Sequence, residues 1–232
     1  MWRFRRRLSS LFSNWIDTYY NKEPNSKEVY LMKELSNSTR DIARELARKY
    51  STMTHDELDI LESVLVPMKF AKGEMILKEG ETCQHIYYIE RGLVRQFYFK
   101  NGKQLTEHIG VEGSIFMCIE SLFQEKPSLL QVEALEPTLI YALPKRRLEE
   151  VALHNVNIQI LFRKILEESL IISQVHADLL RFETAQDRYL KLCKLMPQVV
   201  LRAPLLYVAN YLQMTPETLS RVRAASLYSD RK

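Results

Sequence analysis

The chain has 232 residues, of which 46% are hydrophobic and 27% charged, a balance that is typical of a soluble globular protein and excludes a disordered one. No apolar run approaches the roughly 20 residues of a membrane helix, and the basic start is not followed by the apolar core of a signal peptide, so we expect a cytoplasmic protein without a membrane span. The net charge is +4, and the excess of Lys and Arg lies in residues 1–52 and 177–232, which makes nucleic acid a candidate partner.

Residues 1–52 predict a basic, helical N-terminal extension. Apolar residues recur at spacings of three and four along residues 2–20, which indicates an amphipathic helix, and a more polar helix is predicted for residues 26–50. Arginines at positions 3, 5, 6 and 7 precede the apolar stripe. Such a helix either lies on an anionic membrane or packs on its own domain or on a dimer partner, and we favour packing.

Residues 53–145 predict a barrel of short antiparallel strands. A helix begins this segment at Thr54, and Glu57 completes a capping box with it. All six glycines of the chain then lie between residues 73 and 113. Asn101-Gly102 is a hairpin signal, because both residues tolerate positive φ. Short strands at this spacing favour a barrel or sandwich, and we predict them at residues 74–78, 85–90, 93–100, 103–109, 129–135 and 138–143.

Residues 146–180 predict a long dimerisation helix. Apolar residues repeat there every seven positions, a pattern that suits contact with a partner helix. The alternative is a single helix that packs on its own barrel, and we favour the dimer. The residues assigned to the dimer contact are Ile158, Phe162, Ile165, Ile172 and Leu179.

Residues 181–232 predict a DNA-binding domain that contains a helix-turn-helix. Gln213-Met214 makes the turn between its two helices. Thr215 is a good N-cap, and Pro216 suits the first position of the second helix. Leu219 and Val222 are expected to bury that helix against the first one.

The outward residues of the second helix match the chemistry of a DNA major groove. Arg donates two hydrogen bonds to guanine, Glu accepts one from cytosine N4, and Ser and Thr contact phosphates or base edges. The alternative is an ordinary pair of solvated helices, which the proline cap and the complete apolar spacing disfavour. We assign DNA binding to Thr215, Glu217, Thr218, Ser220, Arg221 and Arg223.

Two parts of the chain resemble the Crp/Fnr family of transcription regulators, most of all the short members common in Bacteroidetes. Residues 182–192 and 207–223 carry the resemblance at the C-terminal end. Lys78-Glu-Gly-Glu81 and Ile86-Tyr-Tyr-Ile-Glu-Arg-Gly92 resemble the barrel of that family, which is a double-stranded β-helix of the cyclic-nucleotide-binding type.

This resemblance implies an α+β protein with a sensor barrel, a long dimer helix and a helix-turn-helix domain. It carries two base-reading positions over to Glu217 and Arg221. Pro216 stands where many members have Arg, which implies a different target sequence. Many members have a β-wing after the second helix, and we expect it to be lacking, since eight residues follow Ala224.

The resemblance also indicates that cyclic AMP binding is lost. Members that bind cyclic AMP use a Gly-Glu-Leu turn for the ribose and an Arg-Ser pair for the phosphate. Here Met117-Cys118-Ile119 aligns with the turn and Ser128-Leu129 with the pair. A phosphate buried without a cation is costly, so no cyclic nucleotide or other known cofactor is assigned.

The barrel is a candidate for an unidentified small effector. An apolar cavity is one interpretation of its inner residues, and an ordinary barrel core is the other, which we favour. His108 is isolated on a strand, so a haem site is not predicted, and scattered histidines and cysteines give no metal site. The residues considered for the pocket are Phe97, Phe116, Met117, Cys118, Ser128 and Leu129.

Together these patterns predict a homodimeric transcription regulator that binds double-stranded DNA. RNA polymerase and a small effector are further candidate partners. No nucleophile, base and orienting group occur in a recognisable arrangement, so an enzyme is not predicted. The alternative function is a signalling module of the cyclic-nucleotide-binding type, whose helix-turn-helix mediates protein interaction instead of DNA binding.

Overall fold

Strands and helices alternate in blocks along residues 39–229, the part of the chain that this computed structural model describes. The predicted helix over residues 2–20, and the part of the next predicted helix before residue 39, lie outside the described residues. The barrel elements are α1 (residues 39–50), α2 (His55–Val64), β1 (Val66–Phe70), β2 (Met75–Leu77), β3 (His85–Arg91), β4 (Val94–Lys100), β5 (Lys103–Gly110), β6 (Ile115–Phe116), α3 (Ile119–Gln124), β7 (Gln131–Ala134) and β8 (Thr138–Pro144).

Six helices follow the strands. They are α4 (Lys145–Ala152), α5 (Val156–Phe182), α6 (Ala185–Leu195), α7 (Pro197–Arg202), α8 (Leu205–Tyr211) and α9 (Pro216–Ser229). No helix in the described part is long and apolar enough to span a membrane.

The strands form two four-stranded antiparallel sheets. One has the order β1-β8-β3-β6 and the other the order β2-β7-β4-β5. Strand β1 lies at an edge, where Pro67 is tolerated because an edge strand does not need every backbone donor. Apolar residues from both sheets fill the space between them, and Ile86, Ile89 and Ile140 are completely buried.

Two local predictions are confirmed at the barrel. Thr54 accepts a hydrogen bond from the Glu57 amide, and the Glu57 carboxylate accepts one from the Thr54 amide, which is the expected capping box of α2. Asn101 and Gly102 have φ angles of 52° and 74°, and they join β4 to β5, whose last pair is Lys100 with Lys103. Both residues therefore adopt the left-handed backbone of a tight hairpin turn.

The first half of helix α5 packs on the barrel core. Ile158, Leu161 and Ile165 are at most 1% exposed and pack with residues of the strands, and Phe162 packs against the same cluster. The assignment of Ile158 and Ile165 to the dimer contact is therefore wrong, whereas Phe162 is partly buried and its assignment stays a prediction. In this half of the helix the seven-residue repeat matches the face that packs on the protein's own barrel.

The second half of α5 has a different environment. Leu179 packs in a second cluster with residues of α6 to α9, whereas Ile172 is 42% exposed. Its neighbours Leu170, Ile171 and Val175 are also more than half exposed. The exposed group formed by Leu170, Ile171, Ile172 and Val175 is called the α5 apolar patch below.

Candidate functional site

Helices α8 and α9 form a helix-turn-helix around a small buried core. Val208, Ala209 and Leu212 from the first helix and its end pack with Leu219 of the second, and each is at most 3% exposed. Gln213 has a φ of 50° and allows the chain to turn sharply between the helices. The two helices therefore pack as the apolar spacing predicts.

The start of α9 is capped as the sequence indicates. The Thr215 hydroxyl accepts a hydrogen bond from the Thr218 amide at 3.2 Å, and Pro216 is the first helical residue. Both features satisfy or remove amide donors that have no partner in the first turn. The cap fixes where the helix begins, and thereby the direction in which its first residues project.

Five of the six residues assigned to DNA binding are exposed. Thr215, Glu217, Ser220, Arg221 and Arg223 face away from the core, whereas Thr218 is partly buried. Thr218 accepts a hydrogen bond from Arg221 Nη2 at 3.3 Å. A backbone hydrogen bond, the Thr215 hydroxyl and the charge of Arg221 lower the pKa of Glu217, which favours its charged form.

The first helix of this motif packs against the outer face of the barrel. Asn210 Nδ2 donates to the Gln104 carbonyl at 3.1 Å. The Arg95 guanidinium lies 3.6 Å from the ring centre of Tyr207 and 3.9 Å from that of Phe97. Because the guanidinium contacts a ring of each domain, it joins α8 to strand β4.

An ionic contact fixes the end of α7 to the same surface. Arg202 binds both oxygens of Glu112, at 2.7 and 2.8 Å, and it also binds Glu136. Hydrogen bonds from Arg202 lower the pKa of Glu112 to about 2. Two barrel carboxylates therefore neutralise the Arg202 guanidinium in the structure.

A cavity of about 360 Å³ lies where the barrel, α5 and α8 meet. Phe116 and Met117 line it, as expected for a pocket, and so do Thr106, His108 and His176. The cavity therefore lies between the barrel and the helices, whereas the sequence suggested a pocket inside the barrel.

The other predicted pocket residues lie elsewhere. Phe97, Cys118 and Ser128 are buried but do not line the cavity, which fits the alternative of an ordinary core. Leu129 is 74% exposed, so its assignment to the pocket is wrong. It follows Ser128, which forms a tight turn by bonding its hydroxyl to both the amide and the carbonyl of Leu130, and this turn directs Leu129 outward.

Residues 67–155 match the cyclic nucleotide-binding domain family. The fold of the described chain is also that of solved Crp/Fnr regulators. FixK2 from Bradyrhizobium japonicum has a TM-score of 0.62 at 22% identity, over 72% of this chain and 86% of that one. A putative cAMP-binding regulatory protein from Silicibacter pomeroyi DSS-3 has a TM-score of 0.55 at 23% identity, over 80% and 86%. These likenesses confirm the predicted α+β fold class and the predicted resemblance.

Two further relatives extend the comparison. A CRP-family transcriptional regulator from Thermus thermophilus has a TM-score of 0.54 at 19% identity, over 70% of this chain and 85% of that one. A cGMP-dependent protein kinase from Eimeria tenella is 28% identical over 185 residues, which is 78% of this chain. That match spans 16% of the kinase, so it concerns a small part of a much longer protein.

The positions that the sequence aligns with nucleotide anchors carry neutral side chains in the segment that matches the cyclic nucleotide-binding domain family. Cys118 precedes α3, and Gln96 Nε2 lies 3.6 Å from its sulfur. Ser128 is buried and already bonded to Leu130. Neither residue supplies the positive charge that a buried phosphate needs.

The domain brings together two cysteines that the sequence separates. Cys83 and Cys118 are both buried, and the Cys83 thiol donates to the His85 carbonyl at 3.4 Å. The neighbouring Cys118 lowers the pKa of the Cys83 thiol. The spacing of 35 residues carries no sequence signal for this contact, because it depends on how β3 and α3 meet. Within the described residues, no group of three or more His, Cys, Asp or Glu could hold a metal ion.

Proposed function

We propose that this chain is a homodimeric transcription regulator of the Crp/Fnr type, which binds double-stranded DNA through helix α9. The observation that carries the proposal is the exposed set of Glu217, Ser220, Arg221 and Arg223 on a proline-capped helix with a buried opposite face. A helix that projects polar and basic side chains from one face fits the major groove.

Base reading is assigned to two residues of this set. Glu217 and Arg221 are four positions apart, so they project from the same side of α9. Arg221 has the donors to bind guanine, and Glu217 has the acceptors to bind cytosine N4. Thr215, Thr218, Ser220 and Arg223 would contact phosphates or neighbouring base edges.

Dimerisation is assigned to the α5 apolar patch. Its four residues are 42–70% exposed on one stretch of a 27-residue helix. Burying such a surface against the same helix of a second copy is favourable, and it places two recognition helices on one side of a two-fold axis. The target is then a palindrome whose half-sites are about 34 Å apart.

The cyclic nucleotide-binding domain is proposed to sense something other than cyclic AMP. Its aligned anchor positions hold Cys118 and Ser128, neither of which can neutralise a phosphate. We expect calorimetry with cyclic AMP to give no measurable heat, whereas micromolar affinity would contradict the proposal. A small effector and RNA polymerase remain candidate partners of the active regulator.

Selection from a random DNA library tests the DNA assignment. The wild type should recover a palindrome, and its affinity should fall steeply with salt because phosphate contacts release counterions. Arg221→Ala should cost about 1–3 kcal/mol of binding free energy and relax the preference at one base pair per half-site. Arg181→Ala removes the same charge from an exposed position near the end of α5 and serves as the matched control.

The alternative, a signalling module that binds protein, makes a different prediction in the same assay. Its support is the cGMP-dependent protein kinase among the relatives. No enriched palindrome with the wild type would favour it. An unchanged palindrome with Arg221→Ala would keep the DNA-binding function and remove Arg221 from base reading.

A further inference from the structure

A groove lies on the helices that flank the barrel, where α1, the start of α2 and α5 meet. Its volume of about 760 Å³ is within the range of sites that bind small molecules. The described residues that line it belong to residues 44–58 or to α5, so they all lie outside the segment that matches the cyclic nucleotide-binding domain family. This site is called the α1 groove below.

The lining of the α1 groove is strongly basic. Helix α1 supplies Arg44, Arg48 and Lys49, and α5 supplies Lys164, whereas none of the described lining residues is Asp or Glu. All four cations are exposed. Arg44 and Arg48 are four positions apart on α1, so these like charges lie on the same face and repel each other. An anion bound between them would remove that repulsion.

Carboxylates beside the groove neutralise only part of this charge. Arg44 binds Asp41 at 3.0 Å, and Lys49 binds Glu168 at 3.0 Å. The four side chains of these pairs are 37–71% exposed, and such pairs contribute little stability, so an incoming anion can compete for their cations. Among the described residues, the other two cations of the groove take part in no salt bridge.

The remaining side chains of the groove suit a phosphorylated organic molecule. Ser51 and Thr52 supply hydroxyl groups, which can donate to phosphate oxygens. Ala47, Met53 and Leu58 supply apolar surface. Guanidinium groups bind phosphate oxygens in pairs and also stack on flat rings. The α1 groove therefore offers contacts for several phosphates and for an organic body in one place.

We propose that the α1 groove binds a small molecule that carries two or more phosphate groups, such as a nucleoside diphosphate. Arg48 and Lys164 make the main contacts, because they have no salt bridge of their own to give up. The described lining provides no carboxylate for Mg²⁺, so the phosphates bind as the free anion and not as the magnesium complex. This binding depends neither on DNA recognition by α9 nor on dimerisation.

The first experiment compares adenine compounds that differ in their phosphate groups. ADP, AMP, cyclic AMP and adenosine are titrated into the full-length chain by calorimetry in the presence of EDTA. We expect ADP to bind at least tenfold more tightly than AMP, and cyclic AMP and adenosine not to bind. The affinity for ADP should fall with rising salt, because the contacts are ionic. Adenosine or cyclic AMP binding as tight as that of ADP would overturn the proposal.

Two further titrations define what the groove recognises. Pyrophosphate that binds as tightly as ADP would assign recognition to the phosphates alone, whereas weaker binding would show that the organic body adds contacts. Absence of binding by both ADP and pyrophosphate would overturn the proposal. Magnesium should weaken the binding of ADP, and binding that requires magnesium would contradict the free-anion mode.

Variants then locate the binding. Arg48→Gln and Lys164→Gln each remove one charge from the groove and should weaken ADP binding at least fivefold, and the double variant at least twentyfold. Arg163→Gln removes the same charge at the next residue of α5, which does not line the groove, and should leave the affinity unchanged. Circular dichroism confirms folding. ADP affinity that is unchanged in a folded double variant would contradict the assignment to the α1 groove.

Duplex DNA of random sequence distinguishes the α1 groove from a second DNA-binding surface, since a DNA backbone also carries phosphates. The double variant should bind such DNA within twofold of the wild type. DNA affinity that falls in parallel with ADP affinity would overturn the small-molecule proposal in favour of a nucleic-acid backbone. Arg221→Ala should leave ADP binding unchanged, so failure of the DNA-binding proposal would be distinguishable from failure of this one.

Discussion

The two halves of helix α5 carry the same seven-residue repeat but pack in different ways. Ile158 and Ile165 of the first half are buried among the barrel strands, whereas Ile172 of the second half is 42% exposed. Around Ile172, the residues of the α5 apolar patch are 42–70% exposed, although His176 and Leu179 face the helix-turn-helix domain.

The difference shows that a repeat identifies a buried face but not the partner that buries it. The first half lies alongside the barrel and is covered by it. The second half extends to the helix-turn-helix domain and contacts it along one face only. The remaining face is where a second copy of the chain can pack.

The largest expected effect follows from placing a charge in the first half. Ile165→Glu would bury a carboxylate in the barrel core, where no described cation faces it, and should reduce the free energy of unfolding by about 3 kcal/mol or more. Ile165→Val should cost only about 1 kcal/mol. Urea denaturation measures both, and a stable Ile165→Glu protein would contradict the burial of this half.

Charges placed in the second half of α5 should separate the protomers of the proposed dimer without unfolding them. Ile171 and Val175 are exposed, so Ile171→Glu combined with Val175→Glu should leave the unfolding free energy of the monomer within about 0.5 kcal/mol. The same changes should convert the dimer to a monomer in sedimentation at micromolar concentration. Gln159→Glu, at an exposed position of the first half, is the control and should stay dimeric. A monomeric wild type would exclude the dimer.

A smaller effect is expected where the second half contacts the helix-turn-helix domain. His176→Ala removes the stack on Tyr211 and the hydrogen bond to its carbonyl, and should cost about 2 kcal/mol of local stability. His176→Phe keeps the stack and should cost about 1 kcal/mol. Hydrogen exchange of residues 185–229 measures the loss, and unchanged protection in His176→Ala would show that the contact contributes nothing.

The last expected effect concerns pH. The pKa of His108 is about 4 in the folded protein and about 6.5 in an unfolded chain. Unfolding therefore takes up a proton between these values, so His108 lowers stability as the pH falls from about 6.5 towards 4, by at most about 1.4 kcal/mol per pH unit. His108→Gln should flatten this slope in urea denaturation at several pH values. An equal slope in both proteins would contradict the lowered pKa.

Strand positions could be predicted closely because period-two patterns and turn residues are local signals. Predicted runs 85–90 and 103–109 correspond to β3 at His85–Arg91 and β5 at Lys103–Gly110. Strand β1 was not predicted, because it contains Pro67, and proline is tolerated in a strand only at a position such as this sheet edge. Strand β6 was not predicted either, since its two residues are too few to show a pattern.

The candidate site likewise has a part that could be predicted from the sequence and a part that could not. The residues of α9 could be assigned because the cap, the core spacing and the polar face lie within a few positions of one another. The junction cavity could not, because Thr106, His176 and Tyr211 come from three distant segments and meet only through tertiary packing. The attachment of Arg202 to Glu112 and Glu136 has the same origin and is equally invisible in the sequence.

Strand β4 contacts both the helix-turn-helix and the cavity between the barrel and α5. Neighbouring residues of a strand point to opposite sides, so Arg95 reaches outward to Tyr207, while Gln96 lines the junction cavity and donates to the Met117 carbonyl at 3.2 Å. Opposite Gln96 and Phe97, Glu107 of β5 has no pairing partner, so the neighbouring strand β5 carries a bulge beside these residues. A displacement of β4 would therefore move a cavity wall and the surface on which α8 packs together.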